Sequence, residues 1–233
     1  MSGKFLDFYR KEWPRVGAVL AMALGGGSLV ASRKNQPNLR ALAVLNSMSM
    51  AAHQFEEYVE PGWFPGMVNK GLFKSDNPRS WPYNPNSAMC ANAAFTAIYM
   101  PPMLFPKVKW LVLPTALLGF GQSIAHSVIA PIALRTKYPY TPGAWTATLA
   151  QVPLGIAYMQ ALRRSEGPFE RSDWVKTFAV LAAFMILGVA TPNVALADKD
   201  TPYAFTTRQM GPYTVDIPER VANEPIAKSE PDA

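Results

Sequence analysis

The sequence predicts an all-α, polytopic membrane helical bundle with five or six transmembrane helices. Three observations carry this. Only 16% of the 233 residues are charged, against about 25% in soluble domains, while 49% are hydrophobic. The apolar residues gather into long stretches separated by basic or aromatic loops. Between Asp76 and Glu166 there is no acidic residue at all. A net charge of +6 in such a chain places lysine and arginine at lipid headgroups. With no Arg-rich helix and no Gly-rich phosphate loop, nothing in the sequence points to nucleic acid or nucleotides as partners. The single cysteine, Cys90, rules out an internal disulfide and a Cys-based zinc site.

Residues 1–15 carry Lys4, Arg10, Lys11 and Arg15 among aromatics and read as an interfacial segment. The apolar run 16–31 follows as a first span, short against the ~20 residues a span needs. A signal peptide is the rival reading of this region. A basic loop, 33–40, precedes a second span over 41–58. Residues 61–85, rich in Pro, Gly and Trp, read as a re-entrant or interfacial loop and not as a helix. A third span covers 86–105, with Pro101 and Pro102 ending or kinking it. The fourth, 110–134, is the longest apolar run and contains His126. After an aromatic loop at 135–142 comes a fifth span over 144–162, then a charged amphipathic linker, then a sixth span over 174–196. The polar, Pro-rich residues 198–233 read as a flexible or extended tail. The chain thus divides into 1–40, a membrane core at 41–162, a linker and last span at 163–197, and the tail at 198–233. Basic residues split almost evenly between the two sides, so orientation is undetermined.

The chemistry concentrates in His53-Gln54-Phe55-Glu56-Glu57, which closes the second apolar run. Helix neighbours three and four apart share a face, so His53 looks along the side of Glu56 and Glu57. Asn46 and Glu60, seven residues before and after His53, fall near that side. Carboxylates inside a bilayer cost about 2.5–3.5 kcal/mol each on insertion scales and call for a partner. A divalent cation is one such partner. His126 is the other of only two histidines, and it too lies in an apolar segment. If spans two and four pack together, His53, His126, Glu56 and Glu57 form a ligand set for zinc, iron or manganese. Glu56 and Glu57 lie ~100° apart on a helix, so one can ligate while the other acts as the catalytic base. Gln122, four residues before His126, is placed to orient its ring, and Asn92 and Tyr140 are further supporting candidates.

The His53-Gln54-Phe55-Glu56-Glu57 stretch resembles the signature of the HXXEE family of small membrane proteins. The likeness extends through Pro61-Gly62-Trp63-Phe64-Pro65 and an asparagine in the next span, Asn92 or Asn86. It continues with His126 and with Tyr140-Thr141-Pro142-Gly143-Ala144-Trp145-Thr146. It covers about residues 41–162 and implies a metal-binding or enzymatic membrane protein of no stated substrate. Together the residues and the resemblance lead to one expectation: a metal-dependent enzyme of hydrolytic or acid–base chemistry, a hydrolase or isomerase, acting on a lipophilic small molecule from the bilayer. A non-catalytic subunit among neighbouring membrane subunits and a proton-coupled transporter are the alternatives. No Gly-x-Ser-x-Gly elbow, His-Glu-x-x-His pair or histidine-rich di-iron set is present.

Overall fold

Helix α2 (Leu39–Tyr58) is the element around which most of the others pack, from the first helix to the one over 144–166. The structure is a computed structural model that describes residues 2–32, 38–135 and 140–216. It is all-α: 79% is helical, and no strand occurs among the described residues. The elements are α1 (Ser2–Ser32), α2, α3 (64–72), α4 (Pro85–Leu104), α5 (Lys109–Leu134), α6 (144–166) and α7 (Arg171–Ala195). A 3-10 segment (Thr207–Asp216), kinked at Gly211, follows. Leu42 and Ala43 at the start of α2 pack with Val112 of α5 and with Tyr158 and Leu162 of α6. So α2 and α5 run in the same sense and α6 returns against both. The opposite end of α2, the start of α6 and the later turns of α5 therefore meet at one end of the bundle.

Two helices, α5 and α7, are long and apolar enough to cross a membrane. Only 6% of α7's most apolar stretch is buried, so its hydrophobic face points outward, unlike the core helix of a soluble protein. The remaining expected spans are helices that fall short of this measure. Arg40, Glu56 and Glu57 interrupt α2, and Arg163, Arg164 and Glu166 sit in the last turns of α6. The expected interfacial segment and first span form one continuous helix, α1, with Pro14 inside it.

Prolines shape these helices. In α5, α6 and α7 a wide π-type turn, at 125–129, 147–151 and 184–190, stands just before Pro131, Pro153 and Pro192. Proline has no N–H and its ring crowds the carbonyl four residues back, so the helix widens there. His126 lies on the first of these turns. Asn84 and Pro85 start α4, with Asn84 accepting from the Ser87 amide and the Ser87 hydroxyl accepting from the Asn84 amide.

Two expectations about irregular segments are corrected. Within 61–85, residues 64–72 are helical, since Pro65 at the first turn brings the φ a helix needs. Asn69 on that helix sews down the rest of the loop, donating to the carbonyls of Pro78 (2.8 Å) and Tyr83 (2.7 Å) and accepting from the Tyr83 amide. The tail, expected to be loose, is folded through residue 216. Phe205 and Met210 are buried among Trp13, Tyr58, Tyr83 and Ala88. The Phe205 amide donates to the Arg79 carbonyl and Arg79 Nε donates to the Phe205 carbonyl. These apolar and backbone contacts outweigh the segment's polar composition. Residues 217–233 and 136–139, parts of the expected tail and aromatic loop, lie outside the described residues.

Candidate metal centre

Three elements meet at the site: the last turns of α2, the π-type turn of α5 and the first turn of α6. Glu57 Oε1 lies 3.6 Å from His53 Nε2 and 3.3 Å from His126 Nε2. The three ligand atoms fall within 4.8 Å of one another, and all three residues are buried. The imidazoles cross edge-on with ring centres 5.0 Å apart.

The tautomers follow from the partners. His53 Nδ1 lies 3.0 Å from the Gly143 carbonyl, which can only accept, so Nδ1 carries the proton. That leaves Nε2 with a lone pair, fully buried and without a hydrogen-bond partner among the described residues. For His126, the Thr141 hydroxyl spends its proton on the residue's own carbonyl at 2.6 Å and stands 3.5 Å from Nδ1 as an acceptor. Its Nε2 therefore also turns a lone pair towards Glu57. Two lone pairs and a carboxylate facing one point repel one another unless a cation stands between them. Ligands ~2.1 Å from a tetrahedral ion stand about 3.4 Å apart, which these separations match. The group could hold a metal ion.

Gly143 makes the close approach possible. Its φ is +99°, where side chains are disfavoured, and a Cβ there would lie 2.6 Å from His53 Cε1 and 2.9 Å from His126 Cε1. The backbone carbonyl that orients His53 thus comes from the residue that has no side chain to obstruct it.

Glu56, expected as a ligand or base, does not join this group. Its carboxylate accepts from the Thr146 amide (2.8 Å), the Thr146 hydroxyl (2.5 Å), the Trp145 amide (3.2 Å) and the Tyr140 hydroxyl (2.5 Å). It caps the N-terminus of α6 from another helix, doing what glycine at the cap position cannot. Burial, and then the Glu56 carboxylate beside it, push the Tyr140 hydroxyl well above its ordinary pKa, so it stays a donor. Tyr140 thus serves Glu56 and not the histidines.

The other candidates are placed as follows. Asn92 donates to the Tyr58 hydroxyl (3.1 Å) and the Ala88 carbonyl (2.9 Å), one residue removed from the centre. Gln122 lines the adjoining cavity but makes no hydrogen bond to His126, whose orientation comes from Thr141. Asn46 donates to Thr115 on α5 at 2.9 Å. Glu60 lies beyond the end of α2, exposed, and pairs with Arg208 of the tail. Thr141, Gly143 and the phenols of Tyr58 and Tyr83 were not assigned roles from the sequence. The positive-φ demand on Gly143 and the position of Tyr58 beside Glu57 are the signals available for two of them.

Glu57 and His126 form the polar end of a cavity of about 710 Å³. Phe64, Met67, Phe95, Ile129, Met185 and Val189 are among its apolar walls. It lies between α3, α4, α5 and α7, and so beside the two most apolar helices.

Residues 44–158 match the family described as a protein of unknown function with HXXEE motif. The chain belongs to the HXXEE family. The signature's His53 and Glu57 are the two of its residues in the buried cluster, while Glu56 ties the signature to α6. His126 and the Thr141–Thr146 segment lie in the same matched stretch. Neither the curated proteins nor the solved structures contain a match to the chain.

Proposed function

We propose that this HXXEE protein is a membrane-embedded, multi-pass, metal-dependent enzyme of hydrolytic or acid–base chemistry that acts on a lipophilic small molecule. The observation that carries the reading is the orphaned, fully buried His53 Nε2, aimed with His126 Nε2 at one oxygen of Glu57 where an apolar cavity ends. His53, His126 and Glu57 would hold the ion. Two imidazoles and a carboxylate suit zinc, iron or manganese, which supply a Lewis acid and lower the pKa of a bound water.

The chain's own residues supply the rest. The Gly143 carbonyl holds His53 in the tautomer whose Nε2 is free. Thr141 sets the backbone and ring of His126. Glu56 fixes the start of α6, which keeps Gly143 against both rings. Since Glu56 accepts four hydrogen bonds, its role is to hold this frame rather than to move protons. The apolar walls of the cavity take the hydrocarbon part of a substrate and exclude water around the reacting end. In this reading the outward apolar faces of α5 and α7 lie against lipid, with the cavity beside them.

The test is turnover. Purified protein, loaded in turn with zinc, iron and manganese, is assayed on a panel of neutral lipophilic esters, amides and enolisable ketones. The reading expects at least one class to react, with the rate lost in Glu57→Gln and His126→Ala. Turnover that survives both substitutions, or no turnover by any loaded form, contradicts it.

A further inference from the structure

The cavity has a second polar feature besides Glu57 and His126. The hydroxyls of Tyr58 and Tyr83 hydrogen-bond each other, and both residues line the cavity. The Asn92 amide donates to the Tyr58 hydroxyl at 3.1 Å. Two phenols carry two protons. One lies between the two oxygens. Asn92 meets Tyr58 as a donor, so it takes up neither. If Tyr58 donates to Tyr83, the Tyr83 proton is uncommitted; if Tyr83 donates, the Tyr58 proton is. Neither hydroxyl is hydrogen-bonded to Glu57, so either arrangement leaves one O–H without an acceptor among the described residues.

The charge of the cavity narrows what that O–H can meet. Among the described residues no lysine or arginine lines it, and its ionisable wall residues besides the two phenols are Glu57 and His126. Apart from an ion at the centre, a carboxylate or phosphate headgroup would meet no protein counter-charge among the described residues. A neutral oxygen finds a hydrogen-bond donor. Its volume is that of pockets for drug-sized molecules.

We propose that the Tyr58–Tyr83 phenol pair donates a hydrogen bond to the oxygen of a neutral lipophile, an ester, ketone or aldehyde, and so selects the substrate of the centre. The proposal rests on the reading of that centre as catalytic. Tyr58 and Tyr83 are then positioning residues, holding the oxygen-bearing end beside Glu57 and His126 while the hydrocarbon part lies along α5 and α7.

The experiment compares two photoreactive probes with the same 16-carbon diazirine chain, one ending in a methyl ester and one a plain hydrocarbon. Each is bound to the full-length protein in nanodiscs, and labelling of α5 and α7 is read by peptide mass spectrometry alongside metal content. The ester probe is expected to label about five- to tenfold more strongly, the worth of one hydrogen bond. Tyr58→Phe and Tyr83→Phe each leave one free O–H and keep most of the preference. The double variant loses it, with metal content unchanged. Equal labelling by the two probes in the wild type, or a preference that persists in the double variant, overturns the proposal. If the double variant does not fold, the two probes are compared on metal-free wild-type protein, where equal labelling overturns the proposal and a retained ester preference supports it. An ester preference that follows the phenols in a protein that holds no metal would leave this inference standing and remove the catalytic reading.

Discussion

Gly143 and His53 are in mutual dependence: the carbonyl of Gly143 accepts from His53 Nδ1 at 3.0 Å, and a Cβ on Gly143 would meet the same ring at 2.6 Å. Gly143→Ala therefore acts twice. It strains a backbone at φ +99°, at about 1–3 kcal/mol, and pushes both imidazoles out of line. The expected result is a lower thermal unfolding midpoint together with loss of metal affinity. A variant that keeps wild-type affinity would show that the rings do not need this contact.

Glu56 and Glu57 are adjacent but separable. Thr146→Val removes a hydroxyl donor from Glu56 and leaves a carboxylate lone pair unmet, at about 1–3 kcal/mol of stability. The Thr146 hydroxyl also stands 3.2 Å from His53 Nδ1, but the Gly143 carbonyl still holds that ring, so metal stoichiometry is expected to hold. Denaturation in detergent with parallel metal analysis checks this. A Thr146→Val protein as stable as the wild type would argue against the capping role.

Tyr140 gives a pH-dependent signature. Its folded pKa lies above the ordinary ~10, so the stability it contributes is complete below that value and declines as pH rises through the folded value. The stability difference between wild type and Tyr140→Phe is therefore expected to be flat from neutral pH to about 10 and to shrink above it. Thermal unfolding across that range measures it, and a difference that already falls between pH 7 and 9 would contradict the assignment.

The tail is a structural member as far as residue 216. Met210 is fully buried, and its Cα and carbonyl pack against Gly66. Truncation after residue 200 removes the burial of Phe205 and Met210, worth about 1.5–3 kcal/mol each, and the Arg208–Glu60 pair. The truncated chain is expected to accumulate less and to unfold at lower temperature, whereas truncation after 216 changes neither. Equal accumulation of both truncations would return the segment to a loose tail.

How much was legible in the sequence depended on the kind of signal. Helices appeared as apolar runs, so the bundle and most element ends could be read, but α4 runs through Pro101 and Pro102, expected to end or kink it, to Leu104. His53 and His126 could be singled out as the chain's two histidines, both in apolar surroundings, and the structure brings them together with Glu57. The division of labour between Glu56 and Glu57 could not be read, because helical spacing sets the angle between two side chains but not what lies on each side. What lies beside Glu56 is the N-terminus of a helix 90 residues further on. The tail failed for a related reason: its composition is polar, and its order comes from two apolar residues and backbone pairs with Arg79 that no periodicity announces. The multi-pass expectation was read from apolar runs, but buried polar groups such as Asn46 and Gln151 interrupt several of them.

The most direct test of the central claim is metal content. Protein purified in detergent is loaded with zinc, iron and manganese in turn, desalted and measured by elemental mass spectrometry. The account expects about one tightly held ion per chain, falling to near zero in His53→Ala, His126→Ala and Glu57→Gln and unchanged in Glu60→Gln, whose carboxylate pairs with Arg208 at the surface. Retention is also expected to fall as the loading pH drops, since the ligands must be deprotonated. A chain that retains none of the three metals, or the same amount in every variant, contradicts the account.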